Sequence, residues 1–444
     1  MDIIYITINI VNEFLWGKNI LVFLLLVAAI YLTIRTRFAQ IRLFPSMIRS
    51  LTENEKSKKG GISSIESLFL STASRVGAGN IVGVIGAISV GGAGSIFWMW
   101  IIAILGSATA FVESSLAVMY REKKNDNTYI GGTPYIYKNR LNLKSIGLMY
   151  AIFSIICYLG VTQVMSYSIV GSITDMYDLA NFKRYISIAL VILVALILFS
   201  KNKKKDSIIS AINKIVPFMA ILYTAIVIFI LVYNYKSIIP VFKEIIEGAF
   251  GVREVFGGTF GTALMYGIRR GLFSNEAGSG NANYAASIVT NTDPVKQGFI
   301  QVIGVFIDTL VICSATAFII LLAPKTELSG MELFNHVMRY HLGTIGEIVG
   351  VILMFFFSLS TILAVAYYGK NALYFIKESK KIEIFYGIFI VLMVYMGAMI
   401  KNEFIWSLAD FGLGLMTILN ILLILPLSNE SINKLNEYEK KKND

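Results

Sequence analysis

Residues 76–80 read Val76-Gly77-Ala78-Gly79-Asn80 and lie in the middle of an apolar stretch of helical length. Gly77 and Gly79 accept backbone angles that other residues resist, and Asn80 adds a side-chain oxygen beside them. If a helix breaks here, the helix that restarts at Asn80 presents unpaired N–H groups and a positive dipole end, suited to a carboxylate. The helix ending near 73–76 offers unpaired carbonyls, suited to a small cation or an ammonium group. One broken helix can therefore hold both ends of a zwitterion. In hydrocarbon such a break survives only where it is buried in protein or lines a cavity, because each unsatisfied group costs several kcal/mol.

Other chemistry-bearing residues lie further along. Phe357-Ser358-Leu359-Ser360-Thr361 places neighbouring hydroxyls in an apolar run, with a backbone carbonyl one turn earlier. That set can supply oxygen ligands for sodium without burying a charge; equally, Ser and Thr bond to their own helix backbone. Gln163, near Ser166, either bridges helices or reads a solute. Three acids fall inside apolar runs: Glu113, Asp308 and Asp410. Acids at membrane depth are functional hypotheses by default. Asp308 is the best placed for a cation or proton role, with a buried pair to Arg75 as the alternative. Glu66 follows Ser63 by three residues, the spacing of a helix-capping box.

The elements that must position these residues are membrane spans. The chain has 444 residues, 56% of them hydrophobic and 15% charged, with mean hydropathy +0.69. A soluble domain runs near 25% charged. Eleven apolar runs are long enough to span, near 18–35, 64–90, 95–121, 145–172, 182–200, 207–234, 253–275, 296–322, 343–370, 382–400 and 403–426. With the N-terminus outside, 29 of the 39 Lys and Arg residues fall in inside loops and nine outside, so the C-terminus is expected in the cytoplasm. The net charge of +11 thus serves topology and does not indicate nucleic acid. Cys157 and Cys313 read as packed thiols, and His336 and His341 are too few for a metal centre. Residues 1–17 carry Asp2 and Glu13 and lack a basic leading region, so no cleavable signal peptide is expected.

Spans two and seven are the glycine-interrupted ones, the second through Gly257-Gly258-Thr259-Phe260-Gly261-Thr262. Five spans separate them, so spans 7–11 invert the orientation of spans 2–6. Paired breaks in inverted halves point to a midplane binding site; close packing through small residues is the other reading of the second glycine run. The expected organisation is an N-terminal helix and loop over 1–63, a first half over 64–234, an outer connection over 235–252, a second half over 253–426, and a mobile tail over 427–444. Interfacial helices are expected at 329–342, as an outer gate, and at 273–292 on the cytoplasmic side.

The run TASRVGAGNIVGVIGAISVGGAGSIFWMW at 72–100 resembles the alanine or glycine:cation symporter family. So do GGTPYIYK at 131–138, GIRRGLFSNEAGSG at 267–280, DPVKQGF at 293–299, FIDTLVICSATAFIILL at 306–322 and WSLADFGLGLM at 406–416. The resemblance implies a leucine-transporter-type 5+5 inverted repeat behind one extra N-terminal helix, in the cell membrane, taking up alanine or glycine with Na⁺. By likeness to the wider sodium:neurotransmitter symporters, the carbonyls of Ala73 and Val76 would join Phe357, Ser360 and Thr361 around sodium. Gln163 matches a family glutamine that faces substrate. Two positions depart: Met165 stands where the family usually has asparagine, and Val365 where it tends to have Trp or Asn.

The expected cycle has Na⁺ bridging spans two and nine. The amino-acid carboxylate then docks on the N–H groups of Gly77, Ala78, Gly79 and Asn80, and its ammonium on span seven at Gly258 and Thr262, with Thr361 and Val365 at the wall. A channel would need a continuous polar pore, and an enzyme would need clustered His, Cys or acidic groups that the sequence lacks. Proton coupling through Asp308 or Glu113 is the remaining rival.

Overall fold

The computed structural model describes residues 2–52, 61–176, 179–200, 206–251, 260–290, 292–400 and 403–443. The chain is almost wholly helical, as 56% apolar residues without water-facing alternation require: in lipid, helices satisfy every backbone group within one segment. The first helices are α1 (Asp2–Asn12) and α2 (Ile20–Arg35), bent by 43° at a π turn over Glu13–Gly17. The extra N-terminal span therefore begins well before residue 18. Short helices α3 (Ala39–Arg42) and α4 (Phe44–Thr52) follow.

The interrupted span is α5 (Ser64–Arg75) and α6 (Gly79–Gly91), bent by 46°. The capping box is present: Ser63 N–H donates to Glu66 Oε2 (2.9 Å) and Glu66 N–H to Ser63 Oγ (3.3 Å). Next come α7 (Ser95–Met119), a two-stranded hairpin (β1 Glu122–Lys123, β2 Tyr129–Ile130), α8 (Thr133–Leu141), α9 (Lys144–Met176), α10 (Lys183–Phe199), α11 (Ser207–Tyr233) and α12 (Tyr235–Ala249). The chain continues with α13 (Phe260–Asn275), α14 (Asn281–Ser287), α15 (Pro294–Val305), a π-helical stretch Phe306–Cys313, and α16 (Ser314–Leu321). It ends with α17 (Gly330–Leu342), α18 (Thr344–Ile376), α19 (Lys380–Met399) and α20 (Glu403–Asn443). Among the described residues eight helices are long and apolar enough to cross a membrane, or ten if each bent pair is one span.

Three elements differ from the sequence reading. Gly257, Gly258 and Thr259 lie outside the described residues, and α13 runs through Gly261, Thr262 and Gly267 without interruption. The small residues of α13 serve packing: a Cβ on Gly271 would meet Ile102 and Met99 of α7. Among the described residues an interruption comes at 276–280, and α14 beyond it is buried throughout, so 273–290 is not the interfacial stretch expected. Nor is the end of the chain a loose appendage. The helix α20 continues past Ser428, buries Ser431 and Leu435, and pairs Glu430 with Arg140 (2.7 Å) and Glu439 with Arg42 (2.8 Å). The helix α17, expected as an outer gate, packs on α18 and α6 and is tethered to α16 by His341 Nε2 at 2.8 Å from Ile319 O.

Deleting residues 428–444 should lower the thermal unfolding midpoint in detergent, whereas deleting only 443–444, which leaves the Lys442 bond to Ser46 Oγ (2.7 Å) in place, should leave it unchanged. A tail that contributed nothing to the fold would give equal midpoints.

Candidate functional site: two facing helix breaks

At the first break Val76 leaves the helical region (φ −82°, ψ 89°) and the chain restarts as α6 at Gly79. Asn80 ties the opening together. Its Oδ1 accepts the Gly77 N–H (3.0 Å), while its Nδ2 donates to Asp308 Oδ1 (2.6 Å) and Ser274 Oγ (3.2 Å). Asn80 N–H donates to Gly77 O (3.1 Å). Two of the four N–H groups expected to meet a carboxylate, those of Gly77 and Asn80, are thus engaged. Those of Ala78 and Gly79 have no acceptor, and the Val76 carbonyl has no donor, among the described residues.

The second break follows Asn275, where Glu276, Gly278 and Gly280 all take positive φ (54°, 90° and 83°). At Gly280 a Cβ would collide with Thr133 Oγ1 and Asn420 Oδ1, so glycine is required there by conformation and by space. The loop is pinned by neighbours rather than by water. Glu113 accepts from Gly278 N–H (3.4 Å) and from Asn420 Nδ2 (2.7 Å), and Asn420 Nδ2 also donates to Gly278 O (3.0 Å). In the last turn of α13 the Phe273 and Ser274 carbonyls have no donor among the described residues.

The two breaks face each other. Arg75 Nε donates to Asn275 O (2.9 Å), and Ser74 Oγ donates to the Glu276 carboxylate (3.1 Å). Arg75 does not pair with Asp308: its Nη1 reaches Gln301 Oε1 (3.3 Å) and its Nη2 has no partner among the described residues. Asp308, fully buried, sits in the π-helical stretch and accepts from Asn80, from Ser274 Oγ (2.8 Å) and from Thr309 Oγ1 (2.8 Å). A wider helical turn there rotates the carboxylate toward the breaks.

The expected sodium ligands largely meet. Thr361 Oγ1 lies 2.9 Å from Ala73 O and 3.0 Å from Phe357 O, and Ser360 Oγ lies 2.9 Å from Phe357 O. One hydroxyl hydrogen cannot satisfy two carbonyls at once, so this uncharged oxygen set has spare acceptor capacity, which suits a hard monovalent cation. Val76 O stands at the same break, without a contact to the set. Val365 is buried one turn beyond Thr361 on the same helix face. Met165 reaches the break, its Sδ 3.5 Å from where a Cβ on Gly77 would stand, while the Phe273 ring lies 4.0 Å from the same point on Gly79. Gln163 points elsewhere: its Nε2 donates to Met393 Sδ in α19, and its Oε1 has no partner.

Sequence reasoning missed Phe273, Ser274 and Glu276. The signal was present in Ser274-Asn275-Glu276-Ala277-Gly278-Ser279-Gly280, a polar glycine run following an apolar helix. The charged Arg269-Arg270 pair just before it made the span look finished.

Two broken helices set side by side within an all-helical bundle, with an uncharged oxygen cluster beside them, define a membrane transporter rather than an enzyme. The sodium:alanine symporter family model matches residues 1–444, and the chain belongs to that family. It is 37% identical over 439 residues to a protein named probable sodium/glutamine symporter GlnT of Bacillus subtilis, covering 98% of this chain and 91% of that one. It is 33% identical to the sodium/alanine symporter AgcS of Methanococcus maripaludis, covering 98% of both. The fold is similar to that of the solved structure of MhsT in complex with L-phenylalanine, with a TM-score of 0.54 at 16% identity over 84% of this chain and 98% of that one.

Asn80→Ala leaves the Gly77 N–H and one Asp308 oxygen unpaired, and should cost about 2–3 kcal/mol of stability by the worth of hydrogen bonds to charged groups. Denaturation of the purified protein in detergent measures it; an unchanged stability would remove Asn80 as the tie between the breaks.

Proposed function

We propose that this chain imports a small neutral amino acid, alanine or glycine, by Na⁺ symport with alternating access. The two interrupted helices are read as matching elements of two inverted five-span halves behind the N-terminal α1–α2 span. The N-terminus lies outside the plasma membrane and the C-terminus in the cytoplasm; with Arg269 and Arg270 inside α13, the positive-inside split becomes 27 against nine, still one-sided. The observation that carries the reading is the facing pair of breaks with the Ala73, Phe357, Ser360 and Thr361 oxygens beside them.

In this reading Na⁺ takes those oxygens together with Val76 O and orders the first break. The substrate carboxylate docks on the Ala78 and Gly79 N–H groups at the start of α6. The ammonium docks on the Phe273 and Ser274 carbonyls at the end of α13, in place of Gly258 and Thr262. Met165, Phe273 and Val365 bound the substrate side chain with apolar surface, and Gln163 takes part only if α9 turns during the cycle. Release runs to the cavity of about 700 Å³ on the hairpin side, whose lining includes Asp206, Tyr367, Lys370 and Glu383. Lys370 Nζ holds both acids there, at 2.9 and 2.6 Å. The proton-coupled alternative rests on Asp308 alone, since Glu113 is occupied in holding the second break.

In proteoliposomes, alanine uptake should require an inward Na⁺ gradient and saturate; undiminished uptake in sodium-free buffer would favour protons. Thr361→Val removes one oxygen from the cation set and should raise the half-saturating Na⁺ concentration about tenfold, by the ~1.4 kcal/mol per decade relation. Competition by glycine, both alanine enantiomers and glutamine decides the cargo: failure of the first three would sink the small-substrate reading.

A further inference from the structure

The additional N-terminal helix lies outside both halves, yet it reaches the second break. The π turn at Glu13–Gly17 and the left-handed Asn19 (φ 56°) bend the chain there, and the bend drives Leu15 and Trp16 inward. Trp16 is 8% exposed, and its Nε1 donates to Asp410 O in α20 at 3.0 Å. One turn earlier Asn12 Nδ2 donates to Ser407 O at 2.7 Å, so two side chains dock this helix on the α20 backbone. The indole is thereby fixed in position as well as buried. Its ring meets the Phe273 ring edge-on, with centroids 6.5 Å apart and planes at 67°. Phe273 in turn stands over Gly79, where α6 begins. A chain of contacts therefore runs from the α20 backbone through Trp16 and Phe273 to the N-terminus of α6.

The space behind Phe273 is small. A cavity of about 20 Å³ lies beside it, bounded by Trp16, Phe273, Glu276, Ala277 and Ser279, among others, so the indole forms part of the wall behind the ring. Remove the indole and that space grows by most of an aromatic side chain.

We propose that Trp16 is a positioning residue for substrate selection: it holds Phe273 against the start of α6 and so limits the side chain that fits between the two breaks. The inference rests on the reading that the amino acid docks between those breaks. It assigns the extra helix a task beyond membrane insertion. A helix outside the repeat sets the size of a site built by the repeat.

The test is competition for Na⁺-driven alanine uptake by glycine, leucine and glutamine in proteoliposomes, for the full chain and for Trp16→Leu, Trp16→Phe, Phe273→Leu and the Trp16→Leu/Phe273→Leu double variant. Trp16→Leu should raise the KM for alanine about three- to tenfold, the worth of one aromatic pair, with kcat within about twofold. Leucine and glutamine should become effective competitors. Phe273→Leu should reproduce that profile, the double variant should add nothing to it, and Trp16→Phe should restore the original selectivity by returning a ring edge. The proposal is overturned if Trp16→Leu lowers only kcat or folded yield with the competitor order unchanged. If Trp16→Leu does not fold, Phe273→Leu and Trp16→Phe decide it: an unaltered selectivity in Phe273→Leu, or an altered one in Trp16→Phe, sinks it. Absence of Na⁺-driven uptake in the unsubstituted protein would instead strike the docking reading beneath it.

Discussion

The bond from Asn80 to Asp308 is the constraint on which the rest of the site depends. A helix opened inside a membrane protein leaves donors and acceptors that water cannot reach, at several kcal/mol each. One asparagine side chain answers on three sides: it accepts from Gly77, donates to Asp308 at 2.6 Å, and donates to Ser274 beside the second break. Without it the first break would either collapse into continuous helix or bury an unpaired carboxylate. The groups it leaves without a partner among the described residues are the Ala78 and Gly79 N–H donors and the carbonyls of Val76, Phe273 and Ser274. These are of opposite polarity and sit at opposite helix ends, an arrangement that complements a zwitterion through main chain alone. In the docking proposed above, main chain would fix the ammonium and carboxylate common to all amino acids, and selectivity would fall to the walls.

The first break was legible because glycine, glycine and asparagine have no packing reason to stand together in the middle of an apolar helix. The hydroxyls of Ser360 and Thr361 stood out in the sequence, but their meeting with Ala73 O was expected only through the family resemblance. The break at 276–280 was overlooked for a physical reason. Glycine runs in membrane helices serve two purposes, close packing and backbone opening, and composition alone does not separate them. The run at 257–262 drew attention by its glycine density, whereas positive φ was needed at 276, 278 and 280. Polar density was the better signal there, because Asn275, Glu276 and Ser279 each complete a hydrogen bond that the opening requires. The end of α20 was misread on similar grounds. Its charges looked solvated, but on a helix Glu430, Lys434, Glu437 and Lys441 share one face, while the opposite face carries Ile432 and Leu435 into the core and Glu439 onto Arg42.

The buried acids, which at first suggested coupling sites, sort by what they hold. Glu113 fastens the second break through Gly278 and Asn420, Asp308 fastens the first through Asn80, and Glu276 ties the two together through Ser74. Each is met by neutral donors rather than by a paired cation. Hydrogen bonds to a charged group are worth about 1.5–3 kcal/mol each, so two or three suffice to keep a carboxylate in place. Arg75, the cation nearest to them in sequence logic, spends its bonds on Asn275 and Gln301, spanning the breaks instead of neutralising one acid.

That division bears on energetics. Acids committed to holding backbone do not change partners when a cation arrives, so an uncharged oxygen set is left to bind it, and the charge that crosses the membrane with a zwitterion is the cation's own. One such charge moving through about 100 mV gives roughly 2.3 kcal/mol, and a tenfold Na⁺ gradient adds about 1.4 kcal/mol. Together they sustain a substrate ratio of a few hundred-fold by the relation of about 1.4 kcal/mol per decade. A design that drew its driving force from a titrating acid would have to release Asp308 from Asn80, Ser274 and Thr309 in every cycle, and the first break would lose its tie at the moment substrate must be held. Coupling through the proposed Thr361 oxygen set would avoid that conflict, because a cation there would leave the Asp308 bonds to Asn80, Ser274 and Thr309 in place.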